Sequence, residues 1–105
     1  MRPEMSVIMI TPNNGTALRG TMKHLQRQTV KGLLEIVVVC PNPESFNIEG
    51  FQPQEFAGFQ ALRGDVEDCA TAARAAGIRA AKTPIIVFTE DHSFPEPEWA
   101  EALIR

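Results

Sequence analysis

Leu34-Glu35-Ile36-Val37-Val38-Val39-Cys40 runs directly into Pro41-Asn42-Pro43. Apart from Glu35 the run is apolar, without the alternation of a strand that keeps one face in water. Such a run suits a parallel strand covered on both faces. The prolines end it, because a residue without an N–H cannot continue a ladder. A parallel strand cannot reach its neighbour by a tight hairpin; it needs a crossover, usually helical. The flanking sequence should therefore alternate further strands with helices.

It does. Toward the N-terminus, Met5-Ser6-Val7-Ile8-Met9-Ile10 is a second apolar run, ending in the turn formers Thr11-Pro12-Asn13-Asn14-Gly15. Between the two runs, from Thr16 to Gln28, Leu18, Met22 and Leu25 recur at spacings of three and four, which predicts a helix. Asn14 or Thr16 is placed to cap it. Toward the C-terminus, Glu44 to Gln60 is rich in phenylalanine and turn signals, and is expected to hold a loop and a short strand near Phe59–Leu62. Asp65 to Lys82 reads as the clearest helix, with Ala70-Thr71-Ala72-Ala73-Arg74-Ala75-Ala76 almost all small. Thr83-Pro84 ends it. Ile85-Ile86-Val87-Phe88 is another buried strand, leading into Thr89-Glu90-Asp91-His92. A last helix begins at Trp99, with Pro97 expected in its first turn. The order β-α-β-(loop, β)-α-β-α predicts one α/β domain over residues 1–105, a Rossmann-like parallel sheet with helices on both faces.

Composition narrows the function classes. A length of 105 residues suits one small domain, and 44% hydrophobic residues can build a core. The net charge of −3, without a basic run, argues against a nucleic-acid partner. Cys40 and Cys69 lack metal-type spacing and read as reduced thiols of a cytoplasmic protein. No apolar run approaches the ~20 residues that span a bilayer, and the start Met1-Arg2-Pro3-Glu4 does not look like a signal peptide.

In an open parallel sheet, ligands bind at the carboxyl ends of the strands. Thr11-Pro12-Asn13, Cys40 and Glu90-Asp91-His92 all fall there. Hard divalent cations take oxygen ligands from one or two carboxylates, together with substrate phosphates. Each residue also has an ordinary reading. Glu90 or Asp91 would cap a helix, His92 would be a surface imidazole, Arg74 a solvated helix residue, and Asn13 a turn former. Neither the glycine fingerprint of dinucleotide sites nor that of P-loops is present.

The combination is more specific than its parts. Met5-Ser6-Val7-Ile8-Met9-Ile10-Thr11-Pro12-Asn13 looks like V-S-V-I-I-P-T-Y-N. Leu25-Gln26-Arg27-Gln28-Thr29 with Glu35-Ile36-Val37-Val38-Val39 looks like S-L-x-x-Q-T…E-I-I-V-V. Ala73-Arg74-Ala75-Ala76-Gly77-Ile78-Arg79-Ala80-Ala81 looks like A-R-N-A-G-I-x-x-A. Ile86 to His92 looks like the strand entering a D-x-D motif, and Pro95-Glu96-Pro97-Glu98-Trp99 like its P-x-x-W continuation. The chain thus resembles the N-terminal half of family 2 glycosyltransferases, inverting enzymes of the GT-A fold.

That resemblance implies a site for a nucleoside diphosphate sugar, with a UDP-sugar favoured. Thr11, Pro12, Asn13, Cys40, Arg74 and Glu90 would line the nucleotide. Glu90, Asp91 and His92 would hold a divalent metal, Mn²⁺ or Mg²⁺. Either Glu90 and His92 fill the first and third places of D-x-D, or Glu90-Asp91 serves as the acidic pair. Cys40 stands where the family usually has an aspartate that reads the base. The family's general base falls beyond Arg105, so the chain is expected to be a truncated domain that binds donor without turnover. The alternatives are a non-catalytic α/β module with a degenerate site, used for protein contact, and a nucleotidyltransferase-like or other sugar-nucleotide enzyme. Such truncation would leave Ile85–Phe88 as an open edge, and self-association to a homodimer is expected.

Overall fold

The computed structural model describes residues 3–11, 18–46, 50–64, 70–90 and 94–105. Four strands form one parallel sheet: β1 (Met5–Ile10), β2 (Leu34–Cys40), β3 (Gly58–Arg63) and β4 (Ile85–Phe88), in the spatial order β3-β2-β1-β4. The helices are α1 (Arg19–Gln26), α2 (Ala70–Ala80) and α3 (Trp99–Ile104). The expected fold class and all four strands are present, but β4, expected to be buried, exposes Ile86 and Phe88 because it ends the strand order and has a neighbour on one side only. Between β2 and β3, where a loop was expected, two single 3₁₀ turns each start at a proline, Pro43 and Pro53. The residue next to the start of α1 is Leu18, which makes no side-chain cap bond. Asn14 and Thr16 lie outside the described residues. Pro97 precedes the cap residue of α3, Glu98, and so stands outside the first turn.

The layering follows from strand period. One face carries Met5, Val7 and Met9 of β1 with Leu34, Ile36, Val38 and Cys40 of β2, packed against Leu18, Met22 and Leu25 and against Ala100, Trp99 and Ile104. Helices α1 and α3 therefore cover this face. Phe46, Phe51, Phe56 and Phe59 extend the same core, with ring centroids 5.3–6.0 Å apart. The opposite face lies under α2. A Cβ added at Gly77 would meet Ile8 Cγ2 at 2.7 Å, so this glycine lets the helix backbone rest on β1. All of β2 is buried, as its unbroken apolar run requires.

Two polar joints lock the layers. At the amino ends of the strands, Glu35 is 5% exposed. Its Oε1 accepts from Ser6 Oγ at 2.7 Å and from the Lys82 N–H at 3.0 Å; its Oε2 accepts from Gln60 Nε2 at 3.2 Å. The second joint is Gln28, which is 3% exposed. Its Nε2 donates to the Glu96 carbonyl at 2.7 Å, and its Oε1 accepts from the Ala100 N–H at 3.0 Å. Gln28 thereby caps α3 from a distant part of the chain, satisfying a first-turn N–H that no local side chain serves. Its neighbour Thr29 donates its N–H to the Pro97 carbonyl at 3.0 Å and its hydroxyl to Glu101 at 2.8 Å. Gln28-Thr29 is the clamp that holds the segment from Glu96 to Glu101.

Candidate functional site

Because every strand is parallel, all four carboxyl ends meet one edge of the sheet. Bonds just past the strand ends keep that edge level. The Thr11 N–H donates to Val39 at 3.0 Å, the Gly64 N–H to Cys40 at 2.9 Å, and the Thr89 N–H to Ile8 at 3.0 Å. Thr11, Cys40 and Glu90 are thus carried on three adjacent strands, β1, β2 and β4. Arg74 follows Ala73 on α2, and Ala73 packs beside Gly64 just past the end of β3. Ala73 is buried, whereas Arg74 is exposed.

The described candidates differ in character. Thr11 is buried at the end of β1. Cys40 is buried among the apolar residues under α1 and α3. Burial pushes its thiol pKa up; an Asn42 backbone hydrogen bond opposes this, Glu44 adds to the rise, and Arg63 lowers it. The group at the end of β2 is therefore a neutral thiol in the core. Beside it, Arg63 Nη1 donates to the Pro41 carbonyl at 2.9 Å and Nη2 pairs with Glu44. The Glu44 carboxyl is held below its usual range, first by its own backbone N–H and then by Arg63. Glu90 is an exposed carboxylate. Pro12, Asn13, Asp91 and His92 lie outside the described residues. Among the described residues, no three His, Cys, Asp or Glu side chains converge on one point.

Past β4 lies a pocket of about 390 Å³, lined by Phe88, Thr89, Glu90, Phe94, Pro95 and Trp99. Residues 94–99 form one wall, held by the Gln28-Thr29 clamp. Phe94 rests against α1, its ring 5.3 Å from His24. A Cβ at Gly20 would meet Phe94 Cε1 at 2.6 Å, so Gly20 leaves the ring its space. Thr89, Phe94 and Trp99 did not stand out as site residues in the sequence. Their signal lay in the P-x-x-W spacing and the Gln-Thr pair, both of which position this wall. No helix among the described residues is long and apolar enough to cross a membrane.

Two solved structures share this architecture. S. aureus TarS matches with a TM-score of 0.77 and 16% identity, over 95% of this chain and 18% of that one. S. aureus TarS 1-349 matches with a TM-score of 0.70 and 14% identity, over 95% of this chain and 31% of that one. The chain thus spans less than a third of either structure's length. Comparison with curated proteins returns no match. The model of the glycosyl transferase family 2 matches residues 6–105, nearly the whole chain. With this match and the GT-A arrangement of strands and helices, the chain belongs to glycosyl transferase family 2.

Proposed function

We propose that this chain is the donor-binding part of an inverting glycosyltransferase, holding a nucleoside diphosphate sugar across the carboxyl ends of β2, β1 and β4. The observation that supports this most is the convergence of Thr11, Cys40 and Glu90 on one edge of the sheet. Thr11, Pro12 and Asn13 follow β1 and line the nucleoside. Cys40 contributes through its place at the end of β2, its thiol being in the core. Arg74 offers a cation to the diphosphate from α2. A uridine nucleotide is the favoured donor.

Glu90, Asp91 and His92 are the proposed metal ligands. The exposed Glu90 carboxylate at the strand end is a hard oxygen donor of the kind Mg²⁺ and Mn²⁺ take, and an imidazole suits Mn²⁺ better. Such an ion, when bound, stabilises the charge that develops on a departing nucleoside diphosphate. The residues themselves orient the diphosphate and balance its charge. Sugar transfer also needs a base that deprotonates the acceptor hydroxyl, and we assign none of the described residues to that role.

Titration calorimetry with UDP, GDP and TDP, with and without Mn²⁺, tests this reading. Metal-dependent binding that Asp91→Ala abolishes supports it. Absence of binding to all three refutes it. That result would favour a non-catalytic module, a reading supported by the buried neutral Cys40, which offers no carboxylate to a base. We further propose that β4 mediates homodimerisation, because Ile86 and Phe88 are 39% and 43% exposed on a sheet edge. Sedimentation showing only monomer at high concentration would exclude it.

A further inference from the structure

We propose that the outer face of α1 docks on an anionic lipid bilayer, with Arg19 and Lys23 meeting the phosphate headgroups and Phe94 entering the interface beside them. The inference stands on α1 and the segment packed against it, and does not depend on the nucleotide reading.

Charge is unevenly placed along the chain. From Met5 to Leu34 there are four basic residues, Arg19, Lys23, Arg27 and Lys31, and no acid, although the whole chain carries a net −3. Folding sorts these four. Lys31 pairs with Glu55 at 2.7 Å. Arg19, Lys23 and Arg27 recur every four residues, so they rise one above another on one side of α1, about 6 Å apart along its axis. Thr21, Met22 and Leu25 are buried beneath the helix, whereas the three cations are exposed. None of the three cationic groups meets a carboxylate among the described residues.

This ridge works against the helix that carries it. Like charges four residues apart destabilise a helix. Arg19 also stands in the first turn, at the positive end of the dipole, and no acid accompanies it there. An anionic surface laid on the ridge relieves both conflicts.

The apolar part of the surface is mounted on the same helix. Phe94 is 61% exposed, an unusual setting for a large apolar ring. Its centroid lies 5.3 Å from that of His24, and a Cβ at Gly20 would meet its Cε1 at 2.6 Å. Gly20 and His24 each follow a ridge cation by one position, so the ring flanks the cations on the outer side of α1. A soluble polyanion would neutralise the cations and leave Phe94 in water. A bilayer interface takes a row of cations and an adjacent aromatic ring together, and needs no shaped socket.

The acids nearby set the angle of approach. Glu96 and Glu98 are exposed, and the Glu96 carbonyl is tied to Gln28 just past the end of α1. They repel headgroups there. Contact therefore centres on Arg19, Lys23 and Phe94, with Arg27 contributing less. The chain lies on the bilayer and does not enter its hydrocarbon core.

Flotation of the chain with phosphatidylcholine vesicles, with and without phosphatidylglycerol, tests this. Binding is expected only where phosphatidylglycerol is present. It should be lost in about 1 M salt, where charges are screened beyond about 3 Å. Arg19→Gln and Lys23→Gln should each lower the partition coefficient about fivefold. Phe94→Ala should lower it by a similar factor of about five. Arg79→Gln makes the same charge change at an exposed site on α2, across the sheet, and should leave binding unchanged. Every replaced side chain is exposed, and circular dichroism checks that each variant keeps its fold. No flotation with phosphatidylglycerol overturns the inference. So does an equal loss in Arg79→Gln, which would make the effect one of net charge. Flotation that Phe94→Ala leaves untouched, with equal binding to soluble polyphosphate, would give the ridge to a soluble polyanion and overturns it as well.

Discussion

Glu35 is a buried carboxylate with no ion pair among the described residues, and it bonds three donors from different elements. Replacing it by glutamine changes one oxygen to an NH₂ at nearly constant shape. Both carboxylate oxygens face donors: Oε1 meets Ser6 and Lys82, and Oε2 meets Gln60. An amide nitrogen at either place therefore points a donor at a donor. The milder arrangement keeps the carbonyl on Ser6 and Lys82 and sets the new NH₂ against Gln60 Nε2. Gln60 cannot turn over without losing its 3.0 Å bond to the Ala80 carbonyl. The loss is one hydrogen bond to a charged group, about 1.5–3 kcal/mol. Relief of the buried charge offsets part of it, leaving a net cost of about 1–2 kcal/mol. Glu35→Ala removes all three bonds, orphans the Lys82 N–H and opens a cavity, for about 3–5 kcal/mol. Urea denaturation followed by circular dichroism reads the series. With a slope of about 1–3 kcal/mol/M, the glutamine variant should lose about 1 M in midpoint and the alanine variant considerably more. A glutamine variant as stable as the parent would refute the reasoning, because the carboxylate would then be tolerated rather than used.

Three further outcomes are expected. Gly77→Ala gains about 1 kcal/mol of helix propensity but sets a methyl 2.7 Å from Ile8 Cγ2; overpacking costs about 1–3 kcal/mol, so thermal unfolding should show a net loss, and a raised Tm would contradict the packing. The Glu101 carboxyl is held below its ordinary 4.5 by the Thr29 hydroxyl and then by Arg105. A carboxyl depressed in the fold contributes stability above its unfolded pKa and loses it as pH falls through the lower folded value. Trp99 emission should therefore report loosening of α3 as pH falls below the ordinary carboxylate range, and Glu101→Gln should remove that dependence; an unchanged profile in the variant would sink the assignment. The Cys40 thiol, buried and raised in pKa, should resist alkylation in a folded Cys69→Ser chain and react fully in urea, whereas rapid native labelling would mean the thiol reaches solvent.

The centre of the sheet was legible because β1 and β2 are buried on both faces. Leu34–Cys40 and Met5–Ile10 carry continuous apolar runs, and no competing helical period disguises them. The third strand was harder to place, since Gly58–Arg63 is half-buried at an edge and carries Gln60 for the Glu35 joint. The roles of Glu35 and Gln28 were not legible. Each is polar within an apolar or helical pattern, and its partners lie far along the chain, 47 residues away for Lys82 and 72 for Ala100. The strand-end candidates Thr11, Cys40 and Glu90 could be read from parallel topology alone, because strand ends share an edge whatever the loops do. What periodicity could not supply was side-chain direction. Cys40, even-numbered on β2 with Ile36 and Val38, turns into the α1 side of the core. The aromatic pocket escaped for a related reason: Phe94 and Trp99 converge on Thr89 only once Gln28-Thr29 has folded their segment back against the end of α1.

The central claim is that a nucleoside diphosphate lies along the carboxyl ends of the strands. Backbone amide NMR of the chain titrated with UDP and Mg²⁺ tests it residue by residue. The account predicts saturable shifts at Thr11, Gly64, Arg74 and Glu90, with Ser6, Gln60 and Lys82 at the other end of the sheet unmoved. Shifts confined to that other end, or none in a folded chain, would contradict it.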